Sequence, residues 1–249
     1  MKALVYEAVE TLTYREVADP EPAAGETLIR VEAVGICGSD MHAFRGHDDR
    51  RPAPLILGHE AAGTVVGEGR RVTVNPLVTC GKCRACLSGR DNLCPERAII
   101  SMPPREGAFA EQLAMPEANL VTVPADVPLQ KAVLAEPLAC GWHAVRLGAA
   151  ALDQPLPEAR CLVLGGGAIG VGAALCLRAF GATEIEVIEP NPLRRTRLAD
   201  IDGVVAAAPG FDDPADLVID GVGYATTRAD ASARVRPGGV IVHIGLGED

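Results

Sequence analysis

Four of the eight cysteines in this chain, Cys80, Cys83, Cys86 and Cys94, form a Cys-x2-Cys-x2-Cys-x7-Cys cluster. Gly81 and Gly89 supply tight turns that let the sulfurs converge. Four thiolates complete the tetrahedral shell of zinc and leave no position for a substrate. Such an ion is structural, clamping a loop with too few apolar residues to fold alone. Reduced thiols without metal are the plain alternative, but free cysteines are seldom spaced this way among Lys82, Arg84, Ser88 and Arg90. An iron–sulfur cluster also uses four thiolates, yet nothing else in the chain asks for electron transfer.

A second donor set has a different character. Cys37 follows a β-type run, and His59 and Glu60 follow Gly58 in a glycine-bounded loop. One sulfur, one nitrogen and one oxygen, with a fourth position open, suit a catalytic zinc that must admit and polarise a substrate oxygen. Glu136, in Ala135-Glu136-Pro137-Leu138, is a further carboxylate for the metal or its water.

A third pattern, Gly165-Gly166-Gly167-Ala168-Ile169-Gly170, lies between an apolar run at 160–164 and a helical run from Ala168. That setting turns a weak G-x-G-x-x-G match into a dinucleotide-binding expectation. Gly165 permits the turn, Gly167 lets backbone approach a pyrophosphate at the helix N-terminus, and Gly170 permits close helix-to-strand packing. Glu189 ends the next strand where an acidic side chain meets the adenosine ribose, which favours NAD. Arg194 and Arg195 keep NADP as the lesser alternative, although solvent-facing charges on a helix explain them equally well.

The elements that must carry these residues fall into two textures. The first hundred residues alternate β-type runs (2–7, 27–33, 63–66, 71–75) with Gly and Pro, and 108–114 and 120–123 continue the pattern. Residues 129–147 change to helical periodicity. From Arg160 a βαβ unit is expected, with strands at 160–164 and 184–189 around a helix at 168–180. A helix at 191–199 and strands at 204–206, 217–220 and 239–244 follow, the last after a Pro237-Gly238-Gly239 turn. Composition allows two modest cores, since 48% of the 249 residues are hydrophobic. A net charge of -10 argues against nucleic acid as a partner and for a small-molecule substrate. No run reaches the roughly 18 apolar residues of a membrane span and no secretory signal opens the chain, so a cytoplasmic location is expected.

The strings Gly35-Ile36-Cys37-Gly38-Ser39-Asp40-Met41-His42, Gly58-His59-Glu60, the four-cysteine lobe and Glu136-Pro137-Leu138-Ala139 together resemble the zinc-containing medium-chain dehydrogenases of the sorbitol and threonine dehydrogenase type. The resemblance implies an α/β chain: a GroES-like β-rich catalytic domain over residues 1–141 and a Rossmann doubly wound parallel sheet over 142–249. It implies two zinc ions, one catalytic and one structural, with NAD as cofactor. Cys37 and His59 become zinc ligands, Glu60 a ligand or close neighbour, and Glu136 a ligand or a partner of the zinc-bound water. Asp40 would orient His59 from behind. Ser39 would bridge the substrate hydroxyl and the cofactor ribose, and His42 would pass the proton to solvent. The reaction implied is reversible oxidation of a secondary alcohol or polyol, with the hydride passing to nicotinamide, in a homodimer or homotetramer.

The chain departs from that pattern at 65–71 and 200–217, which are short. It also ends after the strand at 239–244, without the further strand and the return segment of the family. A zinc-stabilised nucleotide-binding scaffold without turnover is the rival that this departure raises, and a zinc-free quinone reductase is opposed by the residues at 37, 59 and 136. Cys140, Cys161 and Cys176 are expected to pack in the core, and His47 to face solvent. Trp142 and His143 are placed beside the substrate, with core packing an equal alternative for Trp142.

Overall fold

A computed structural model describes residues 1–209 and 214–247. Two compact units account for it, Met1–Glu136 and Pro137–Asp249, so the division falls ahead of the 141/142 boundary expected from sequence.

The first unit is built from antiparallel sheet. β1 (Lys2–Ala8) pairs with β2 (Thr11–Glu16), and the chain then enters β3 (Glu26–Gly35), helix α1 (Gly38–Phe44) and the short β4 (Leu55–Ile56). β5 (Glu60–Val65), β6 (Arg71–Val74), β7 (Leu77–Val78), α2 (Arg84–Leu87) and β8 (Ala98–Ile99) follow, then β9 (Gln112–Pro116), β10 (Leu120–Thr122) and α3 (Leu129–Ala132). Five of the strands form one sheet in the order β10-β6-β5-β3-β9, and β2-β1-β4 form another. β-Branched and aliphatic side chains make these strands. Ile29, Val65, Val72, Val74, Leu113 and Met115 alternate inward to one core with Ile100.

Several local expectations shift here for identifiable reasons. The strand expected at 63–66 begins at Glu60, because the register Gly35↔Glu60 extends the β3–β5 ladder to that residue. The strand expected at 108–114 begins at Gln112, since the N–H groups of Ala108 and Phe109 bond instead to the carbonyls of Gly58 and Leu57, at 2.8 and 2.9 Å. β2 is exposed along its whole length, so no inward stripe announces it. The short connection at 65–71 is a tight hairpin in which Val65 N–H reaches Arg70 O at 2.9 Å and Gly67 and Gly69 take positive φ.

The second unit holds a wholly parallel sheet in the order β13-β12-β11-β14-β15. Helix α4 (Ala135–Ala151) leads to β11 (Arg160–Leu164), α5 (Ala168–Ala179), β12 (Glu184–Ile188), α6 (Pro192–Leu198), β13 (Val205–Ala207), β14 (Ala215–Asp220), α7 (Ala225–Arg234) and β15 (Val235–His243). Both faces of the sheet are buried: Cys161 and Val163 point into one core, Leu162 and Leu164 into another. The helical stretch expected at 129–147 breaks into α3 and α4. The expected Pro237-Gly238-Gly239 turn is a bulge inside β15, where register jumps from Ala215↔Val235 to Leu217↔Val240. Cys161 and Cys176 are buried as expected, whereas Cys140 is exposed. It lies off the stripe by which α4 packs, formed by Pro137, Gly141, Ala144, Val145 and Gly148. Part of the stretch at 200–217, residues 210–213, lies outside the described residues.

Candidate active site and metal centres

Register positions the first donor set. β3 and β5 are antiparallel neighbours in which Gly35 faces Glu60, so the chain leaving β3 at Cys37 lies beside the chain entering β5 at His59. Cys37, His59 and Glu60 converge there, with one ligand atom from each within 4.8 Å of the others. Gly35 makes this possible, because a Cβ at that position would lie 1.9 Å from Glu60 Oε2. Gly58, at φ +90°, turns the chain into His59 against the ring of Phe109.

Asp40 ties the two segments together. It is buried, its Oδ2 accepts the N–H of Cys37 at 2.9 Å, and its Oδ1 accepts that of Gly58 at 3.1 Å. Oδ1 also stands 3.5 Å from His59 Nδ1, within ion-pair range but without hydrogen-bond geometry, which leaves Nδ1 a buried nitrogen lacking a hydrogen-bond partner. Ser39 and His42 lie one turn apart on α1, the helix that Cys37 begins. Sequence periodicity missed α1, a helix of seven residues opening Gly38-Ser39. Its legible signal was Asp40, three residues after the N-cap, where a carboxylate bonds back to the cap N–H.

The electrostatics are those of a cluster short of positive charge. Burial raises the Cys37 thiol, but hydrogen bonds and charge from His59, together with Ser39, outweigh it and hold the thiol below its ordinary value. Burial opposes the charged form of His59, yet Asp40 and Cys37 lift it to about 10. Glu60 is raised by burial and then by the charge of Glu136; Glu136 is raised by burial, with His59 partly offsetting it. Glu136 thus feels the cluster without joining the three-residue group. A thiol and several carboxylates gathered around one imidazole suit a divalent cation, so this donor set fits zinc.

The cysteine lobe meets a stricter test. Zinc–sulfur bonds of about 2.3 Å place tetrahedral sulfurs about 3.8 Å apart. The sulfurs of Cys83 and Cys86 are 3.5 Å apart, those of Cys80 and Cys94 3.6 Å, and those of Cys80 and Cys86 4.0 Å. Backbone N–H groups of Lys82 and Cys83 draw the Cys80 thiol down to about 7, while burial and Cys83 push the Cys86 thiol up to about 11.

In the second unit, the strand order reverses between β11 and β14, the place where doubly wound sheets open a ligand crevice at their carboxyl ends. Gly165 takes φ +90°, and a Cβ at Gly170 would lie 1.7 Å from Gly165 O. A Cβ at Gly167, the N-cap of α5, would meet nothing within 4 Å. The helix N-terminus is therefore open to an anion such as a pyrophosphate. Glu189 is buried, and its carboxylate accepts N–H from Gly166 at 2.7 Å and from Asn191 at 2.8 Å. The two arginines separate here. Arg195 donates to the carbonyls of Glu189 and Pro190 at 2.6 and 2.7 Å, while Arg194 stands 3.7 Å from Glu189 Oε2 and is largely exposed.

Trp142 packs edge-on against Phe180 at 4.4 Å between centroids, half-exposed on α4, and His143 Nδ1 pairs with Arg146 at 3.2 Å. His47 is exposed, whereas Arg51 is buried, donating to Ser101 O at 3.0 Å and ion-paired with Asp48. Sequence reading did not single out that pair or the pair of Asp220 with His243, at 3.1 Å.

Comparison with known proteins adds to this geometry. Residues 23–125 match the model of the alcohol dehydrogenase GroES-like domain. The chain is 35% identical over 268 residues to L-galactonate-5-dehydrogenase of Escherichia coli K12, covering 99% of itself and 76% of that protein. It is 31% identical to sorbitol dehydrogenase of Arabidopsis thaliana, covering 96% of itself and 72% of the relative. A crystal structure of a zinc-binding dehydrogenase of Sinorhizobium meliloti 1021 bound to NADP superposes with a TM-score of 0.88 at 29% identity, covering 99% of this chain and 77% of that one. A GroES-like unit followed by a doubly wound parallel sheet defines the medium-chain dehydrogenase class. Within it, the chain belongs to the zinc-type alcohol and polyol dehydrogenases, a family of NAD(P)-linked oxidoreductases.

Proposed function

We propose that the chain oxidises a secondary alcohol or polyol reversibly with NAD, using a zinc held by Cys37, His59 and Glu60, while Cys80, Cys83, Cys86 and Cys94 hold a structural zinc. The observation that carries this reading is the convergence of Cys37, His59 and Glu60 from two strands, with Asp40 bonded to both segments. When bound, zinc supplies Lewis-acid polarisation of the substrate oxygen, and the nicotinamide supplies the hydride acceptor.

The chain's own residues do the rest. Asp40 stands 3.5 Å from His59 Nδ1, so its charge favours a proton on that nitrogen and would leave Nε2 for the metal. Ser39 takes the substrate proton, and His42, one turn further along α1, passes it to solvent. Glu136, outside the three-residue group but feeling the charges of His59 and Asp40, would partner a water at the metal's open position. Gly167 and the start of α5 hold the pyrophosphate, and Gly165 and Gly170 shape the turn beneath it. Buried Glu189 presents negative charge where a 2′-phosphate would sit, which favours NAD over NADP.

The names of the two curated relatives, a galactonate and a sorbitol dehydrogenase, support a polyhydroxylated substrate. No helix among the described residues is long and apolar enough to cross a membrane. Cys37, Cys80, Cys83, Cys86, Cys94, Cys161 and Cys176 stand as thiols and not as disulfides, which supports a reducing, cytoplasmic setting. A homo-oligomer, dimer or tetramer, completes the reading.

The test combines metal analysis with NADH absorbance across a panel of polyols, sugar acids and secondary alcohols. Two zinc per chain and turnover of at least one polyol are expected, with Cys37→Ser losing one zinc and all turnover. Full zinc loading with no turnover of any substrate would sink the dehydrogenase reading and leave the scaffold alternative.

A further inference from the structure

β14 and β15 run parallel in the register Asp220↔His243, so both residues sit at the carboxyl edge of the sheet, beside the reversal between β11 and β14. Asp220 is fully buried there. Its Oδ1 accepts the N–H groups of Val222 and Gly223 at 3.0 and 2.9 Å, and its Oδ2 faces His243 Nδ1 at 3.1 Å. These N–H bonds outweigh the cost of burial and hold the carboxyl below its ordinary value. A carboxylate accepts only, so Nδ1 carries the hydrogen and donates it. The ring is fixed, and Nε2 is the nitrogen that Asp220 does not engage.

The surroundings are built with equal care. Gly221-Val222-Gly223 leaves β14, and Gly245-Leu246-Gly247 leaves β15. A Cβ on Gly223 would lie 2.2 Å from Gly245 O, and Gly247 N–H reaches Val222 O at 2.9 Å, so the two turns interlock. His243 continues the face of Ile241, which packs with Val218 and Ala231, but it lies past the end of that core and its side chain is 40% exposed. A polar, oriented, half-exposed ring thus ends the apolar run 240–242 of β15.

We infer that His243, oriented by Asp220, is a positioning residue that accepts a hydrogen bond from the carboxamide of the nicotinamide ring. The inference rests on the dinucleotide reading of the second unit. With the pyrophosphate at Gly167 and the adenosine ribose at Glu189, beyond β12, the other half of the dinucleotide runs the opposite way, across the ends of β14 and β15. β15 lies two strand spacings from β11, on the order of 10 Å. Ribose hydroxyls and the carboxamide N–H are the donors of that half, and the carboxamide alone is missing from ADP-ribose.

The test measures binding of NADH, ADP-ribose and the acetylpyridine analogue of NADH to the full chain by fluorescence or calorimetry. His243→Ala removes the ring. His243→Asn keeps a donor for Asp220, and so keeps the turns in place, but removes Nε2. Both variants are expected to weaken NADH roughly five- to tenfold, the worth of one hydrogen bond, and to leave ADP-ribose unchanged. The acetylpyridine analogue, which has no amide N–H, is expected to show no difference between variants and wild type. Equal weakening of NADH and ADP-ribose, no weakening of NADH, or an unchanged penalty with the analogue overturns the inference. Failure of the wild type to bind ADP-ribose and NADH instead overturns the dinucleotide reading beneath it.

Discussion

Replacing Asp40 tests whether the metal centre is held by its ligands alone or by the carboxylate behind them. Asp40 is buried and accepts N–H groups from Cys37 and Gly58, one in each ligand-bearing segment, while facing His59. Asp40→Ala leaves both N–H groups without an acceptor, at about 1–3 kcal/mol each where burial is complete, so a loss of about 2–5 kcal/mol is expected. Losing the partner of a metal-bound imidazole costs a further 10–100-fold in metal affinity. Asp40→Asn has one acceptor oxygen where the carboxylate has two, so it keeps one N–H bond and falls between. Urea unfolding of zinc-free protein measures the first effect. Titration with cobalt against a chelator measures the second, because the absorption of a one-sulfur site differs from that of the four-sulfur lobe. An Asp40→Ala protein whose mixed-ligand site binds cobalt within about twofold of wild type would refute the positioning argument. So would equal weakening of the lobe, which Asp40 does not touch.

Three further outcomes are expected. Cys94→Ser, at a fully buried sulfur, should lose one zinc while the other site still binds, and should open the lobe to proteolysis; an intact lobe under protease would contradict the structural-zinc reading. Glu189→Ala should release the N–H groups of Gly166 and Asn191, weaken NAD roughly tenfold and raise the ratio of NADP to NAD efficiency; an unchanged ratio from steady-state kinetics would count against Glu189 as the discriminating residue. Arg50 and Arg51 hold the well-buried Asp48 carboxylate down from 3.8 to about 2 against the cost of its burial, a difference of about 2 kcal/mol. Because the folded value is the lower one, that stability is present above pH 3.8 and is lost as pH falls through about 2. Asp48→Asn should therefore destabilise at pH 7 and converge with wild type near pH 2 in acid titrations of unfolding.

What the sequence displayed and what it hid differ in physical kind. The convergence of the four cysteines was legible because they lie within one short loop, where spacing nearly determines geometry. Gly165, Gly167 and Gly170 were legible for the same reason, since a turn and the helix after it are local. Cys37 and His59 are distant in sequence, and residue chemistry alone marked them; the contact depends on the Gly35↔Glu60 register, which no local pattern fixes. α7 escaped notice because only Ala231 of its ten residues is buried, so it carries almost no apolar stripe. Arg51 lay among exposed charges in the sequence, yet its burial is set by the carbonyl of Ser101, 50 residues away. The Asp220–His243 pair combines both obstacles, a parallel register between strands separated by a helix and polar partners that each end an apolar run, 217–219 and 240–242. Groups placed across strands are thus the ones a linear motif underreports, and in this chain they are the ones that orient other groups. Asp40 ties the segment of Cys37 to that of His59, the proposed ligand, and Asp220 orients His243. If that division is physical, substitutions at 40 and 220 should leave the ligand and glycine motifs intact in the chain while altering what those motifs bind.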